Sequence, residues 1–159
     1  MAVLLDTGVF FALYDTKDSN HDNSVGLVGH ALMGRWGGVF VSNYVSLETT
    51  LLLGSKMGPA LARVFLHFVE KSGMTEILVD DEIIGQAKEV FRADAALSLT
   101  DSVSVVLART LGIRYIGTYD QRSFRSYSDD IIGPSYWDSL DGDERKRLKA
   151  IVSPTGTGG

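Results

Sequence analysis

Short, mostly apolar runs alternate with helix-like segments along the chain, and this alternation limits the possible folds more than any other feature. Runs of three or four such residues between turn signals are typical of buried strands. Four of them lie at residues 3–5, 39–41, 77–79 and 115–118. Strands that alternate with helices indicate an α/β fold with a mainly parallel sheet.

Helices are predicted between these runs. The clearest is Pro59–Lys71, in which Leu61, Phe65 and Phe68 lie on one apolar stripe and proline suits the first turn. Thr100 is a candidate N-cap for a helix that ends near Gly112. Other helices are predicted at residues 9–14, 24–36, 44–56 and 141–149 and from residue 80 onward, with a polar surface loop at 15–23.

The length of 159 residues suits one domain, and no repeat or interior linker interrupts it. We predict a single domain at residues 1–150 and a flexible tail at 151–159. No apolar run reaches the roughly 18 residues that a membrane span needs, and the start of the chain lacks the basic segment of a signal peptide. The chain has no cysteine, which excludes disulfides and thiolate metal sites. These features favour a cytoplasmic protein that does not enter a membrane.

The formal net charge is −5. Proteins that bind nucleic acid tightly are usually basic, because their affinity comes largely from contacts of Lys and Arg with phosphates. The acidity therefore counts mildly against a tight nucleic-acid binder. It says less against an enzyme whose acidic residues are gathered in one metal site.

Two acidic residues follow predicted strands. Asp6 comes directly after the first run, and Asp120 comes two residues after the end of the fourth. Ligands of open α/β sheets bind beyond the carboxyl ends of the strands, so both positions are candidate sites. For either aspartate alone, a role in a turn is the more common explanation.

Two further acids lie on predicted helices. Glu48 shares a helix face with Val45, Leu51 and Leu52, where an unpaired carboxylate would need a cation, a donor or a proton. The alternative is that Glu48 lies at the edge of that face and reaches water. Asp101 lies in the first turn of its helix, where capping alone would explain an acid. If the four acids converge, Mg²⁺ or Mn²⁺ would relieve their repulsion and serve phosphodiester hydrolysis.

Four segments resemble the signature of PIN domains, and the similarity spans roughly residues 1–125. Each segment carries one family acid in the family order. The most specific is the Leu-Ser-Leu-Thr-Asp run that opens an apolar helix. The segments are Leu4-Leu5-Asp6-Thr7, Val45-Ser46-Leu47-Glu48, Leu97-Ser98-Leu99-Thr100-Asp101 and Gly117-Thr118-Tyr119-Asp120.

This resemblance implies a three-layer α/β/α sandwich with a short parallel sheet, and cleavage of single-stranded RNA by metal-activated water. It assigns Asp6 and Asp101 as direct ligands of Mg²⁺ or Mn²⁺. Glu48 and Asp120 would bind the metal directly or through water, or orient the attacking water. The resemblance also implies hydrogen bonds that support the acids, from Thr7, Thr100 and Thr118; the alternatives for these threonines are strand propensity and capping.

The size and layout are most similar to VapC-type toxins, which implies a homodimer and inhibition by a small antitoxin. Three alternatives remain: a housekeeping PIN nuclease of RNA maturation or decay, a non-catalytic PIN-like binding module, and a phosphatase-like hydrolase with Asp6 as nucleophile. The complete set of acids argues against the binding module. Gly8 argues against the phosphatase, because that chemistry needs a second aspartate there.

Basic residues near Asp120 are candidates for RNA binding. Arg122 and Arg125 could contact phosphates, or they could pair with Asp129 and Asp130 instead. The basic run at residues 145–149 is more typical of a solvated helix face. The three histidines, at positions 21, 30 and 67, lack zinc-ligand spacing and are predicted to be structural.

Overall fold

A computed structural model describes residues 1–152 of the chain. Its centre is a five-stranded sheet with the strand order β3-β2-β1-β4-β5, in which every neighbouring pair is parallel. The predicted α/β fold with a parallel sheet is confirmed. The strands are β1 (Ala2–Leu5), β2 (Gly38–Ser42), β3 (Thr75–Ile77), β4 (Tyr115–Gly117) and β5 (Ile131–Ile132).

Eight α-helices and one short 3₁₀ helix, Trp137–Ser139, connect and cover these strands within residues 1–152. The Pro59–Lys71 helix was predicted to the residue. The α-helices are α1 (Thr7–Tyr14), α2 (His21–Leu32), α3 (Asn43–Met57), α4 (Pro59–Lys71), α5 (Asp81–Ala93), α6 (Leu99–Leu111), α7 (Gln121–Phe124) and α8 (Gly142–Val152).

The helices form a layer on each face of the sheet. Val3 and Leu5 of β1 pack on one side with α1 to α4, while Leu4 packs on the other side with α5 to α7. Successive side chains of a strand point to opposite faces, so one strand serves both cores. The predicted three-layer α/β/α sandwich is confirmed.

Three predicted elements need correction. The third strand ends at Ile77, because the amide of Val79 donates to the side chain of Asn43 (3.1 Å) and Leu78 is 76% exposed. Helix α2 begins at His21, inside the predicted loop. The N-cap of α6 is Ser98, because its hydroxyl accepts the amide of Asp101 at 3.0 Å; Thr100 already lies within the helix.

The C-terminal helix packs on α2. A Cβ at Gly29 would lie 2.6 Å from Cδ2 of Leu148, so a larger residue there would displace the Leu148 side chain. Helix α8 runs to Val152, two residues past the predicted domain boundary, and the rest of the predicted tail lies outside the described residues. Within residues 1–152, no helix is both long and apolar enough to cross a bilayer.

The strand order reverses its direction at β1, which lies between β2 and β4. The chain runs outward from β1 to β2 and β3, and then crosses to the other side of β1 to form β4 and β5. Ligands of open α/β sheets bind at such a reversal, beyond the carboxyl ends of the central strands. Asp6 follows β1 at this point, and Thr118 and Asp120 follow β4.

Candidate functional site

Asp6 lies where β1 passes into α1, and its side chain is only 7% exposed. Its Oδ2 atom accepts a hydrogen bond from Oγ1 of Thr118 at 2.9 Å. Its Oδ1 atom is buried and has no hydrogen-bond partner within the described chain. An unpaired buried carboxylate oxygen is costly, so this atom is available to bind a cation or to accept a hydrogen bond.

The electrostatic surroundings of Asp6 oppose its ionisation. Burial, followed by the negative charge of Asp101, raises the pKa of Asp6 from 3.8 to about 7, and Glu48 adds a smaller effect in the same direction. Hydrogen bonds from the Thr118 hydroxyl and the Thr7 amide act in the opposite direction. The structure therefore brings the charges of Asp6, Asp101 and Glu48 within electrostatic reach of one another.

Asp101 caps α6 and also lies within electrostatic reach of Asp6. Its Oδ2 accepts the amide of Ser98 at 2.9 Å, and the hydroxyl of Ser98 accepts the amide of Asp101, which together make a capping box. This arrangement fixes the carboxylate at the start of α6 through one oxygen. Capping and proximity to Asp6 therefore coexist in the same side chain.

Glu48 is half-buried on α3, but not in the setting predicted for it. The buried face of this helix consists of Val45, Ser46, Thr49 and Leu53, whereas Leu51 is 64% exposed. The apolar stripe around Glu48 was therefore partly wrong, and the residue lies at the edge of the buried face. Desolvation alone does not require a partner for Glu48.

Asp120 is exposed, and its carboxylate is turned toward α7. Oδ1 accepts the amide of Ser123 at 3.1 Å, and Oδ2 accepts its hydroxyl at 2.6 Å. The charges that raise the pKa of Asp6 include Asp101 and Glu48 but not Asp120. The link to Asp6 runs through Thr118, whose Oγ1 accepts the amide of Asp120 at 3.1 Å while it donates to Asp6.

The acidic side chains do not form a closed cage. Among residues 1–152, no three acidic or histidine side chains are placed so that they could share one metal ion. Long-range repulsion at Asp6 is compatible with this, because charges act over longer distances than coordination bonds. The donors are all oxygens, and Asp6 Oδ1 is free, which fits a hard cation that keeps several waters and takes one or two carboxylates.

The other two predicted supporting threonines differ from Thr118. The backbone amide of Thr7 lowers the pKa of Asp6, while its own Oγ1 is buried without a partner in the described chain. Thr100 is half-buried, and its hydroxyl makes no hydrogen bond within residues 1–152. Of these three threonines, only Thr118 makes a side-chain hydrogen bond to one of the acids.

The predicted RNA-binding arginines are both exposed, Arg122 on α7 and Arg125 at its end. Their alternative pairing with Asp130 is wrong, because Asp130 accepts Nε of Arg114 at 2.7 Å. No ion pair involves either arginine within the described part of the chain. Both guanidinium groups are thus open to solvent near Asp120.

The last helix is held by aromatic contacts. Arg145 and Lys149 lie 5.6 and 5.3 Å from the ring centre of Trp137, which accounts for two cations of the basic run through cation–π contacts. His30 pairs its Nδ1 with the hydroxyl of Tyr136 at 2.7 Å, and burial lowers its pKa. His30 is therefore part of the packing between α2 and the C-terminal segment.

Sequence reasoning missed three residues around the acids. They are Ser98, Ser123 and Tyr119. Ser98 and Asp101 have the spacing of a capping box, and Asp120 and Ser123 have the spacing of an N-cap and its N3 residue. Both patterns are visible in the sequence. Tyr119 had no such signal, because its hydroxyl meets Oγ of Ser24, 95 positions away, at 2.6 Å.

Known proteins resemble this chain in sequence and in fold. The PIN domain model matches residues 3–129. A VapC ribonuclease of Archaeoglobus fulgidus is 43% identical over 162 residues, a match that covers 100% of both chains. VapC20 of Mycobacterium tuberculosis, a sarcin–ricin loop cleaving toxin, superposes with a TM-score of 0.70 at 22% identity, over 82% of this chain and 98% of that one. FitAcB of Neisseria gonorrhoeae superposes with a TM-score of 0.57 at 17% identity, over 83% and 97%.

Proposed function

The chain belongs to the PIN-domain family, and on this premise we propose that it is a metal-dependent endoribonuclease that cleaves single-stranded RNA as the toxin of a VapBC-type pair. The full-length similarity to a VapC ribonuclease supports the activity. The observation that carries the metal dependence is the buried, unpartnered Oδ1 of Asp6, within electrostatic reach of the carboxylates of Asp101 and Glu48. Such an atom is stable in an ionised carboxylate only when a cation or a donor meets it.

Mg²⁺ or Mn²⁺ would be held by Asp6 and Asp101, with Glu48 and Asp120 bound directly or through water. When bound, the cation would stabilise charge on the scissile phosphate and lower the pKa of a water molecule. Thr118 orients Asp6 through its hydroxyl, and Ser98 orients Asp101 through its amide. These hydrogen bonds hold the two aspartates in place before substrate arrives.

Arg122 and Arg125 would contact phosphates of the RNA. Both are exposed on the segment that follows Asp120, and neither is neutralised by an ion pair within residues 1–152. Although the net charge of the chain is −5, these two arginines make the surface next to Asp120 locally positive, where the RNA would approach. Local charge, rather than net charge, would therefore govern RNA binding.

We further propose a second copy of the chain and a small antitoxin as protein partners, in the cytoplasm. Helices α3 and α4 expose several large apolar side chains that a partner could cover. The most exposed of them are Leu47, Leu51 and Val64, at 60%, 64% and 47%. Leu47 and Leu51 lie one turn apart on α3, and contiguous exposed apolar groups are typical of protein interaction sites.

The direct test measures cleavage of single-stranded RNA by the wild-type chain, Asp6→Asn and Asp101→Asn in Mg²⁺, in Mn²⁺ and in EDTA. We expect the wild type to cleave only with a metal, and both variants to lose activity by at least about 100-fold. Equal activity of all three proteins, or full activity in EDTA, would contradict the proposal. A small partner gene just upstream would distinguish the toxin from a housekeeping nuclease.

A further inference from the structure

Ser123 connects the segment that carries Asp120 with the loop that leads to Asp101. Its side chain is 6% exposed. Its Oγ atom lies 2.6 Å from Oδ2 of Asp120 and 2.9 Å from the carbonyl oxygen of Ala96. One hydroxyl therefore lies within hydrogen-bond distance of two acceptors. One is the carboxylate of Asp120, and the other is the Ala96 carbonyl in the loop that leads into α6.

A serine hydroxyl has a single proton to donate. Both neighbours of Ser123 Oγ are acceptors when Asp120 is ionised, so they compete for one proton. The carboxylate is the stronger acceptor, because charge-assisted hydrogen bonds are shorter and stronger than neutral ones. Without a bound cation, the proton therefore points to Asp120, and the Ala96 carbonyl does not accept this hydrogen bond.

The loop that carries Ala96 positions Asp101. Its turn is formed by Asp94, whose Oδ1 accepts the amide of Ala96 at 2.9 Å. Two residues later Ser98 caps α6 and binds Asp101 through the capping box. A change in the hydrogen bonding of Ala96 thus acts on the segment from which Asp101 projects.

We propose that Ser123 is a positioning residue that holds Asp120 away from the other acids until a cation arrives, and then transfers its hydrogen bond to Ala96. The inference rests on the proposed metal-dependent function. Release of Asp120 leaves the hydroxyl satisfied, because the second acceptor is already at 2.9 Å. The same transfer gives the Ala96 carbonyl a hydrogen bond, which restrains the loop that leads to Asp101.

Removal of the hydroxyl has a distinctive effect under this proposal. Ser123→Ala frees Asp120 from a competing charge-assisted hydrogen bond, so the affinity for Mn²⁺ increases, by roughly 3- to 10-fold. Ser123→Thr keeps the hydroxyl and retains the wild-type affinity. If Ser123 only supported the fold, or stayed bonded to the metal-bound carboxylate, Ser123→Ala would instead lower the affinity for Mn²⁺.

The experiment measures Mn²⁺ affinity by calorimetry and by the electron paramagnetic resonance of free Mn²⁺, without RNA. It compares the wild-type chain, Ser123→Ala, Ser123→Thr and, as a matched control, Ser126→Ala at an exposed serine nearby. In parallel, the ¹³C resonance of the Ala96 carbonyl is followed as Mg²⁺ is added to the wild type. A downfield movement reports the new hydrogen bond and needs no variant.

We expect tighter binding for Ser123→Ala alone, and a carbonyl movement in the wild type and Ser123→Thr but not in Ser123→Ala. Unchanged or weaker binding by Ser123→Ala would overturn the proposal, as would an Ala96 resonance that ignores Mg²⁺ in the wild type. Absence of Mn²⁺ binding by the wild type would instead remove the proposed function itself, and with it this inference. If Ser123→Ala does not fold, the wild-type resonance decides.

Discussion

Asp6 and Asp120 both follow a central parallel strand, yet their side chains lie in opposite surroundings. Asp6 is 7% exposed, and one of its oxygens has no partner in the described chain. Asp120 is exposed, and both of its oxygens accept hydrogen bonds from Ser123. The difference shows that position at the edge of a sheet does not fix the chemistry of a carboxylate; its burial and its hydrogen-bond donors do.

The largest expected effect separates these two acids by metal affinity. Asp6→Asn should weaken Mn²⁺ binding by more than about 100-fold, because it removes a charge from the one acid with a free buried oxygen. Asp120→Asn should weaken binding by only about 10-fold, because Asp120 must first leave Ser123. Calorimetric titration of both variants checks this order, and equal losses would abolish the distinction between the two acids.

The second prediction concerns stability without metal. The pKa of Asp6 is raised from 3.8 to about 7 by burial and by the charge of Asp101. Well below pH 3.8 the carboxyl is protonated in both the folded and the unfolded chain. As the pH increases from 4 to 7, the unfolded chain ionises first, so folding loses stability, by up to roughly 4 kcal/mol.

Urea unfolding in EDTA between pH 4 and pH 8 measures this loss. Asp6→Asn is the matched control, because it keeps the shape of the side chain and cannot ionise. The variant should be more stable than the wild type at pH 8, and the two should converge toward pH 4. Parallel curves for the two proteins would contradict the raised pKa. Saturating Mg²⁺ should stabilise the wild type more at pH 8 than at pH 6, because binding requires the ionised carboxyl.

Much of this arrangement was predictable from sequence because its causes are local. Pro59 and the apolar spacing after it defined α4 to the residue. The place of the third strand was wrong because Asn43, 36 positions earlier, binds the amide of Val79. Asp120 is oriented by Ser123, whose hydroxyl also lies 2.9 Å from the carbonyl oxygen of Ala96, 27 positions away. Contacts between distant segments leave no periodic signal in the chain.

A third prediction tests the hydrogen bonds that join the two acids. Thr118→Val removes the donor to Asp6 and the acceptor for the amide of Asp120. It should cost about 1–3 kcal/mol of stability, because buried polar groups lose their partners, and it should raise the pKa of Asp6 further.

Thr49→Val is the matched control for this substitution. Thr49 is also buried, but its hydroxyl has no partner in the described chain, so valine should be neutral or slightly stabilising there. Urea unfolding at pH 7 compares the two variants. A cost as large for Thr49→Val as for Thr118→Val would show that loss of a threonine hydroxyl, and not loss of the bridge between Asp6 and Asp120, is responsible.

The smallest expected effect concerns the exposed segment after Asp120, which carries Arg122 and Arg125. Replacing both arginines with alanine should raise KM for single-stranded RNA about 3- to 10-fold and leave kcat nearly unchanged, because phosphate contacts bind substrate and transition state alike. The salt dependence of RNA binding should become shallower by about one unit per lost contact. Arg114, which is paired with Asp130, is the matched control, and its replacement by alanine should leave the salt dependence unchanged. A fall in kcat with KM constant would instead place the arginines in the chemical step. The exposed segment after Asp120 would then take part in catalysis, as proposed for the buried Asp6.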